Sequence, residues 1–156
     1  MQSAAQISQA DLRELVTFKV GEQDYCIDIM SVREIRGWTP ATVLPYAPSY
    51  VLGVINLRGT IVPIVDLSAR LNLGRSEPDS RHVVVITAIN NQMVGLLVNS
   101  VSDIMSVNRS AVQPVPEAAS EATGAHIEGV IAIDDRMLRV IDLQVVIPSI
   151  GEREIG

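Results

Sequence analysis

Short apolar runs separated by polar turns dominate the pattern of the chain. From Leu15 the run LVTFKV is followed by a polar turn at residues 21–24 and then by YCIDI. Two such runs joined by a short turn predict a β-hairpin. The segment VLGVINLRGTIVPIVDL predicts a second hairpin with residues 56–59 at its tip, where Gly59 is free to adopt a positive φ. Pro63 in its second run favours an edge strand or a bulge.

The second half of the chain has the same pattern. HVVVITAI and MVGLLV flank an Asn-Asn-Gln turn, and GVIAI and MLRVI flank Asp134-Asp135. Residues 68–81 predict a polar loop with at most one helical turn. The polar residues 1–14 predict a flexible N-terminus, and residues 148–156 a C-terminal tail. The chain is therefore predicted to be all-β with a minor helical component.

An internal repeat relates the two halves. A shift of 69 positions aligns Ile29, Val32, Glu34 and Ile35 with Val98, Val101, Asp103 and Ile104. A shift of 76 aligns residues 53–55 with 129–131 and residues 65–67 with 141–143. Coincidence in a chain rich in Val and Ile is the alternative. Evenly spaced strands that occur twice predict two small β-barrels packed together, lobe 1 at about 15–80 and lobe 2 at about 81–147.

Composition narrows the class of protein. Apolar residues make up 47% of the 156 positions, and the net charge is −6 with scattered basic residues. A nucleic-acid binder would carry a basic face, so nucleic acid is not an expected partner. No apolar run reaches the roughly 18 residues of a membrane helix, and the N-terminus lacks the apolar core of a signal peptide. With Cys26 as the single cysteine, we expect a cytoplasmic protein that is monomeric when free.

Candidate chemistry is sparse. Asp66 and Asp142 occupy equivalent positions in the repeat, as do the paired aspartates of two-lobed proteases, but their contexts are DLS and DLQ. The alternative is that each ends a strand and accepts backbone N–H bonds at a turn. His82 and His126 are isolated, so no metal site is proposed. We predict a protein without cofactor or catalytic function, with an enzyme using Asp66 and Asp142 in an inter-lobe groove as the alternative.

Arg58 breaks the repeat, because its counterpart at the other hairpin tip is Asp134. An Arg at a tight turn presents a rigid fork of five N–H donors, which suits recognition of carboxylates and amides. The alternative is an ordinary solvated turn charge. Met30 and Val32 also leave apolar groups on the outer face of their strand, which favours either a binding groove or packing between the lobes.

Several segments resemble the CheW family of bacterial chemotaxis coupling proteins. They are YCIDIMSVREIRGW, LPYAPSYVLGVINLRGTIVPIVDL, MVGLLVNSVSDIMSV and IEGVIAIDDRMLRVIDL, and the resemblance runs from about Leu15 to Ile147. It implies two five-stranded SH3-like barrels around a shared apolar interface. It also implies a non-catalytic adaptor that bridges transmembrane chemoreceptors to a CheA-type histidine kinase and is recruited to receptor arrays at the membrane.

The resemblance also implies site residues. The cytoplasmic tip of the receptor would lie in the groove between the barrels, against Val32, Glu34, Arg58, Val101 and Ile104. The regulatory domain of the kinase would dock on the barrel ends, one interface on each barrel. In the second barrel the matching loop is QPVPEAA, with Gln113, Glu117 and Ala118 as the expected contacts. Gln113 and Ala118 replace an Arg and a larger apolar residue that are frequent in the family, which predicts a weaker contact there.

Overall fold

The computed structural model describes residues 11–116 and 126–147. Within these ranges it contains ten strands and two short α-helices. The strands are β1 (Leu12–Val20), β2 (Gln23–Asp28), β3 (Val32–Gly37), β4 (Val51–Leu57), β5 (Thr60–Asp66), β6 (Val83–Ile89), β7 (Gln92–Val98), β8 (Ser100–Asn108), β9 (Ile127–Ile133) and β10 (Arg136–Ile141). The helices are α1 (Leu67–Arg70) and α2 (Leu143–Val146). The all-β prediction is confirmed, and α1 is the helical turn expected within 68–81. Among the described residues no helix has the length and apolar character needed to cross a membrane.

The strands form two five-stranded sheets with the same topology. Sheet A has the order β8-β1-β2-β10-β9, and sheet B has the order β3-β6-β7-β5-β4. Neighbouring strands are antiparallel except for β2 beside β10 and β5 beside β7, which are parallel. When each strand is replaced by its counterpart in the repeat, β1 by β6 and so on, one order becomes the other. The internal repeat is thus present in the fold as well as in the sequence.

Each sheet takes strands from both halves of the chain, so a division into lobes near residue 80 does not describe the sheets. A 3-10 turn at Ile29–Ser31 carries the chain from β2 in sheet A to β3 in sheet B. Between β7 and β8 the single residue Asn99 makes the reverse crossing. The first two strands of each repeat therefore complete the sheet of the other repeat, through long-range pairings that strand patterning does not reveal.

The sheets curl but are not closed into barrels by strand pairing. The edges are β8 and β9 in sheet A, and β3 and β4 in sheet B. Contacts outside the strand ladders bridge the open sides, and two of them are between charged side chains. In sheet A, Nη1 of Arg13 on β1 donates to Glu128 on β9 at 2.6 Å. In sheet B, Arg58 after β4 bonds Glu34 on β3. The expected five strands per unit are confirmed, but the sheets are not closed barrels. Side-chain contacts and the isolated backbone bridges Thr42–Val54 and Gln113–Val130 join parts of their open sides.

One apolar core lies between the two sheets. Sheet A contributes Phe18, Val20, Tyr25 and Ile27, and sheet B contributes Val65, Val85, Val94, Leu96 and Val98. Residues of both helices, among them Leu67, Leu143 and Val146, complete this cluster. Full burial of such a side chain stabilises the folded state by about 1.5–3 kcal/mol. The two sheets are therefore held together mainly by this shared core.

Candidate functional site

Arg58 and Gly59 form the two-residue turn between β4 and β5. The strands are in register at Leu57 and Thr60, and φ is +52° at Arg58 and +90° at Gly59. Asn56 supports the turn, since its Oδ1 accepts the backbone N–H of Gly59 at 2.8 Å. The predicted positive φ at Gly59 is confirmed, and Arg58 adopts one as well. The turn holds the Arg58 backbone fixed while its side chain remains 69% exposed.

Glu34 lies between two arginines. Nη2 of Arg58 donates to Oε1 of Glu34 at 2.5 Å, and Nη1 of Arg36 donates to Oε2 at 3.2 Å. The hydrogen bond from Arg58 is the main reason that the pKa of Glu34 lies below its ordinary value. Glu34 is thus an ionised carboxylate at neutral pH, and the cluster carries one net positive charge. Arg36 was not among the predicted site residues, although the two-residue period of a strand places it on the face of Glu34.

Val32 and Val101 line the edge of the shared core. Both are half-buried and pack against the inter-sheet cluster. Val32 begins β3, an edge strand of sheet B, and Val101 lies on β8, an edge strand of sheet A. Two edge strands that are equivalent in the repeat thus bring their apolar residues to the same core, one from each sheet.

Ile104 stands apart from these four residues. It lies on β8 opposite Val16 and is 57% exposed. Its counterpart in the repeat, Ile35 on β3, is 46% exposed. The structure therefore joins Glu34 to Arg58 directly and places Val32 and Val101 on a common core, while Ile104 adds an exposed apolar group to the edge strand.

A cavity of about 450 Å³ lies at the loop predicted to bind the kinase. Gln113 anchors this loop to β9, because it exchanges both backbone hydrogen bonds with Val130 at 2.8 Å. The cavity is lined by Gln113, Pro114, Val115, Pro116, Ile127, Val130, Ala132, Met137 and Arg139. Met137 is 52% exposed. Glu117 and Ala118, the other two predicted contacts, lie outside the described residues.

The repeat produces a second cavity of about 490 Å³ on sheet B. It is lined by Leu44, Val54, Thr60, Ile61, Pro63, Asn91, Gln92 and Met93. Thr42 bridges to Val54 through two backbone bonds of 2.8 Å, as Gln113 does to Val130. The two cavities differ in charge, since Pro63 occupies the position that Arg139 occupies in the other. Patterning of single strands could not have found either cavity, because each needs a loop placed over a hairpin.

The repeated aspartates have structural partners. Asp66 is 2% exposed, and its carboxylate accepts the N–H and the hydroxyl of Ser76, both at 2.7 Å. Asp142 caps α2 by accepting the N–H of Gln144 at 3.1 Å. Both aspartates lie at or directly after the end of a strand and accept backbone N–H groups, as interpreted, although the partner of Asp66 is ten residues further along the chain. Asp66 ends β5 of sheet B and Asp142 follows β10 of sheet A, and each carboxylate is bonded to its own partner within its half of the repeat.

The chain matches the CheW-like domain family over residues 14–151. It belongs to this family. A chemotaxis protein CheW of Rhizobium meliloti is 53% identical over 91% of each chain, and that of Bacillus subtilis is 32% identical over 86% of each chain. The crystal structure of the scaffolding protein TtCheW from Thermoanaerobacter tengcongensis superimposes with a TM-score of 0.79 at 29% identity, covering 89% of this chain and 90% of that one.

Cys26, the single cysteine of this CheW-like chain, is buried. Burial raises the pKa of the Cys26 thiol to about 12, so that the nucleophilic thiolate is scarce at neutral pH. Within residues 11–116 and 126–147, no three His, Cys, Asp or Glu side chains are grouped as metal ligands. The CheW-like surface presents a charged cluster beside an apolar inter-sheet edge, together with two apolar cavities, and exposed apolar surface rimmed by polar groups is typical of protein–protein interaction sites.

Proposed function

We propose that the chain is a non-catalytic cytoplasmic adaptor that couples transmembrane chemoreceptors to a CheA-type histidine kinase in bacterial chemotaxis. Membership of the CheW-like family supports this role, as do the names of its relatives, a chemotaxis protein in Rhizobium meliloti and a scaffolding protein in Thermoanaerobacter tengcongensis. An adaptor needs two separate binding surfaces on one rigid body. The inter-sheet edge and the cavities on the individual sheets are such surfaces.

The receptor binds at the inter-sheet edge. The observation that carries this proposal is the Arg58–Glu34 pair on its turn, together with Val32 and Val101, two half-buried residues at the edge of the shared core that we call the apolar strip. A receptor helix would lay its apolar stripe on the valines and direct polar side chains to the charged pair, as in helix-in-groove recognition. Ile104 extends the apolar strip along β8.

Arg58 retains binding capacity despite its bond to Glu34. Its side chain is 69% exposed, and only one of its five N–H donors has a bond to Glu34 in the structure. Glu34 keeps the guanidinium in place and offsets its charge, so that a partner meets an oriented fork. Such a group contributes to specificity and orientation more than to raw affinity.

The regulatory domain of the kinase docks at the cavity formed by the loop at Gln113 and the β9–β10 hairpin. Exposed Met137 and the proline-rich lining present adaptable apolar surface. The equivalent cavity on sheet B, with Ile61 62% exposed, provides a second docking surface of the same kind. Two pseudo-equivalent surfaces allow one adaptor to contact two kinase domains, and this permits recruitment into an extended array.

Calorimetric titration with a helical-hairpin receptor fragment tests the receptor surface. Arg58→Ala is expected to weaken binding about tenfold, the loss of about 1.4 kcal/mol. Arg81→Ala is the matched control, because the Arg81 side chain is 91% exposed and lies on the loop before β6. Equal affinities of the two variants would remove Arg58 from the receptor site. Titration of the same variants with the kinase regulatory domain should show wild-type affinity for both.

A further inference from the structure

Helix α2 reaches across the interface between the sheets. It follows β10 of sheet A, yet it also makes polar contacts with the sheet B side of the molecule. Nη2 of Arg70, at the end of α1, donates to the carbonyl of Val145 at 2.7 Å, and its Nε donates to the carbonyl of Val146 at 3.1 Å. Asn90, in the β6–β7 turn, donates to Oε1 of Gln144 at 3.0 Å. α2 is thus fastened to both α1 and a turn of sheet B.

The guanidinium of Arg70 is held from two sides. It lies over the ring of Tyr50 at 4.5 Å from the ring centroid. It also bonds carbonyls in the last turn of α2, where carbonyl groups lack partners within the helix and a cation is favoured. The ring and the two carbonyls contact the same guanidinium, so the Tyr50 contact helps to hold its N–H groups towards α2.

This contact is specific to one side of the repeat. Tyr50 and His126 are equivalent, since each accepts the backbone N–H of the aspartate that follows the paired strand, at 2.8 Å from Asp66 and 3.0 Å from Asp142. The repeat aligns Arg70 with Val146, whose side chain is uncharged. The core between the sheets is apolar and draws on both halves of the repeat, whereas the Arg70 contact is polar and has no counterpart among the described residues.

Apolar attraction is non-directional, so the shared core sets the angle between the sheets only through the fit of its side chains. Directional bonds between elements of the two sheets restrict that angle further. We propose that Arg70, stacked on Tyr50 and bonded to the end of α2, is a positioning residue that locks the angle between sheets A and B. It thereby fixes the spacing of β3 and β8, the edge strands that carry Val32 and Val101.

Spin labels on the two edge strands measure this spacing directly. Arg33→Cys on β3 and Ser102→Cys on β8 are equivalent in the repeat, and both positions are exposed. Native Cys26 can stay in place, because it is fully buried and its thiol pKa is raised to about 12. Pulsed electron paramagnetic resonance then gives the distribution of label-to-label distances in the otherwise intact chain.

Arg70→Gln in the labelled protein is expected to broaden the distance distribution or shift its mean. Arg70→Lys, which keeps the charge but loses the planar fork, should give an intermediate width. Arg81→Gln is the control and should leave the distribution unchanged. If Arg70→Gln does not fold, Arg70→Lys and Tyr50→Leu carry the test. An unchanged distribution in every folded variant at Arg70 and Tyr50 would overturn the proposal.

The consequence for binding rests on the proposed function. Because the cavity at Gln113 lies within sheet A and its loop, Arg70→Gln should leave the affinity for the kinase regulatory domain unchanged. The affinity for the receptor fragment should fall about fivefold, at the lower end of typical coupling between sites. A broadened distribution with unaltered receptor affinity would support the lock between the sheets and overturn its role in shaping the receptor site. Loss of both affinities would overturn the positioning role in favour of general destabilisation.

Discussion

Nη2 of Arg58 lies 2.5 Å from Oε1 of Glu34, and this contact joins the two open edges of sheet B. Glu34 belongs to β3 at one edge, and Arg58 follows β4 at the other. The pair therefore has a structural role in the curl of the sheet and, in our proposal, a second role in receptor recognition. The two roles can be tested separately. The structural role depends on the bond between Arg58 and Glu34, whereas receptor recognition depends on the N–H donors of Arg58 that this bond leaves available.

The titration of Glu34 tests the structural role. Its pKa is lowered chiefly by the hydrogen bond from Arg58. A carboxyl whose pKa is depressed on folding stabilises the protein above its unfolded pKa, and this contribution is lost as the pH falls through the folded value. NMR titration of the Glu34 side-chain carboxyl should give a midpoint below that of an unpaired Glu. In Arg58→Ala the midpoint should rise, and an unmoved midpoint would contradict the assigned contact.

Gly59→Val should destabilise the β4–β5 hairpin. φ is +90° at this residue, a region that a β-branched side chain occupies only with strain. We expect a loss of about 1–3 kcal/mol in the free energy of unfolding, measured with urea. Gly37→Val is the matched control, because Gly37 ends β3 without a positive φ and a Cβ there would meet open space. Equal losses at both positions would show that strain in the turn is not the cause.

Gly129→Ala should displace the loop that forms the sheet A cavity. A Cβ at Gly129 would lie 2.6 Å from the carbonyl oxygen of Gln113 and 2.7 Å from a methyl group of Val112. Overpacking of this kind costs about 1–3 kcal/mol. Hydrogen exchange at the Val130 amide should become faster, and affinity for the kinase regulatory domain should fall. Slow exchange with normal affinity, as expected for the control Gly37→Ala, would show that the loop tolerates the added methyl group.

The stability of the protein should fall in mild acid because of His126. Burial, followed by the nearby Arg70 charge, lowers the pKa of this imidazole below its ordinary value of 6.5. The unfolded chain therefore takes up a proton at a higher pH than the folded chain. The stabilising contribution is complete above the unfolded pKa and is lost as the pH falls from there through the folded pKa.

Urea unfolding of wild type and His126→Leu over this pH range measures the effect. The variant should lose less stability between about pH 7.5 and pH 5 than wild type does, because it lacks the group that titrates near pH 6.5 in the unfolded state. Identical pH dependence of the two proteins would contradict the assigned shift. The change in unfolding free energy between the two pH values is measured for each protein separately. An effect of the substitution on packing that is the same at both pH values therefore cancels.

Local features of this chain could be predicted from its sequence. The turn at Arg58 and Gly59, the strand-ending role of Asp66 and Asp142, and the repeat itself depend on neighbouring residues or on matching patterns. The strand position of Pro63 could not be predicted from its neighbouring residues alone. β5 is an interior strand, so the expected edge position was wrong, but pairing with β7 begins only at Ile64. The missing N–H of Pro63 therefore lies outside the β5–β7 ladder, which is why an interior strand tolerates it.

The pairing of strands that are distant in the chain could not be predicted from the sequence. The parallel pairing of β2 with β10 joins segments more than a hundred residues apart, and strand patterning says nothing of the partner. The contacts of Arg70 with Tyr50 and the end of α2 depend on that exchange of strands. Glu34 and Arg58 were each predicted to face the receptor, but the bond between them was not predicted. That bond requires sheet B to curl so that its two edges meet.

Receptor-dependent kinase activity measures whether this chain couples a receptor to a kinase. Receptor-containing membranes, a CheA-type kinase and this chain would be mixed, and the rate of kinase autophosphorylation measured with each component omitted in turn. The adaptor account predicts that the chain raises kinase activity only when receptor is present, that Arg58→Ala lowers this stimulation, and that Arg81→Ala preserves it. Kinase activity that is the same with and without the chain, in the presence of both partners, would contradict the account.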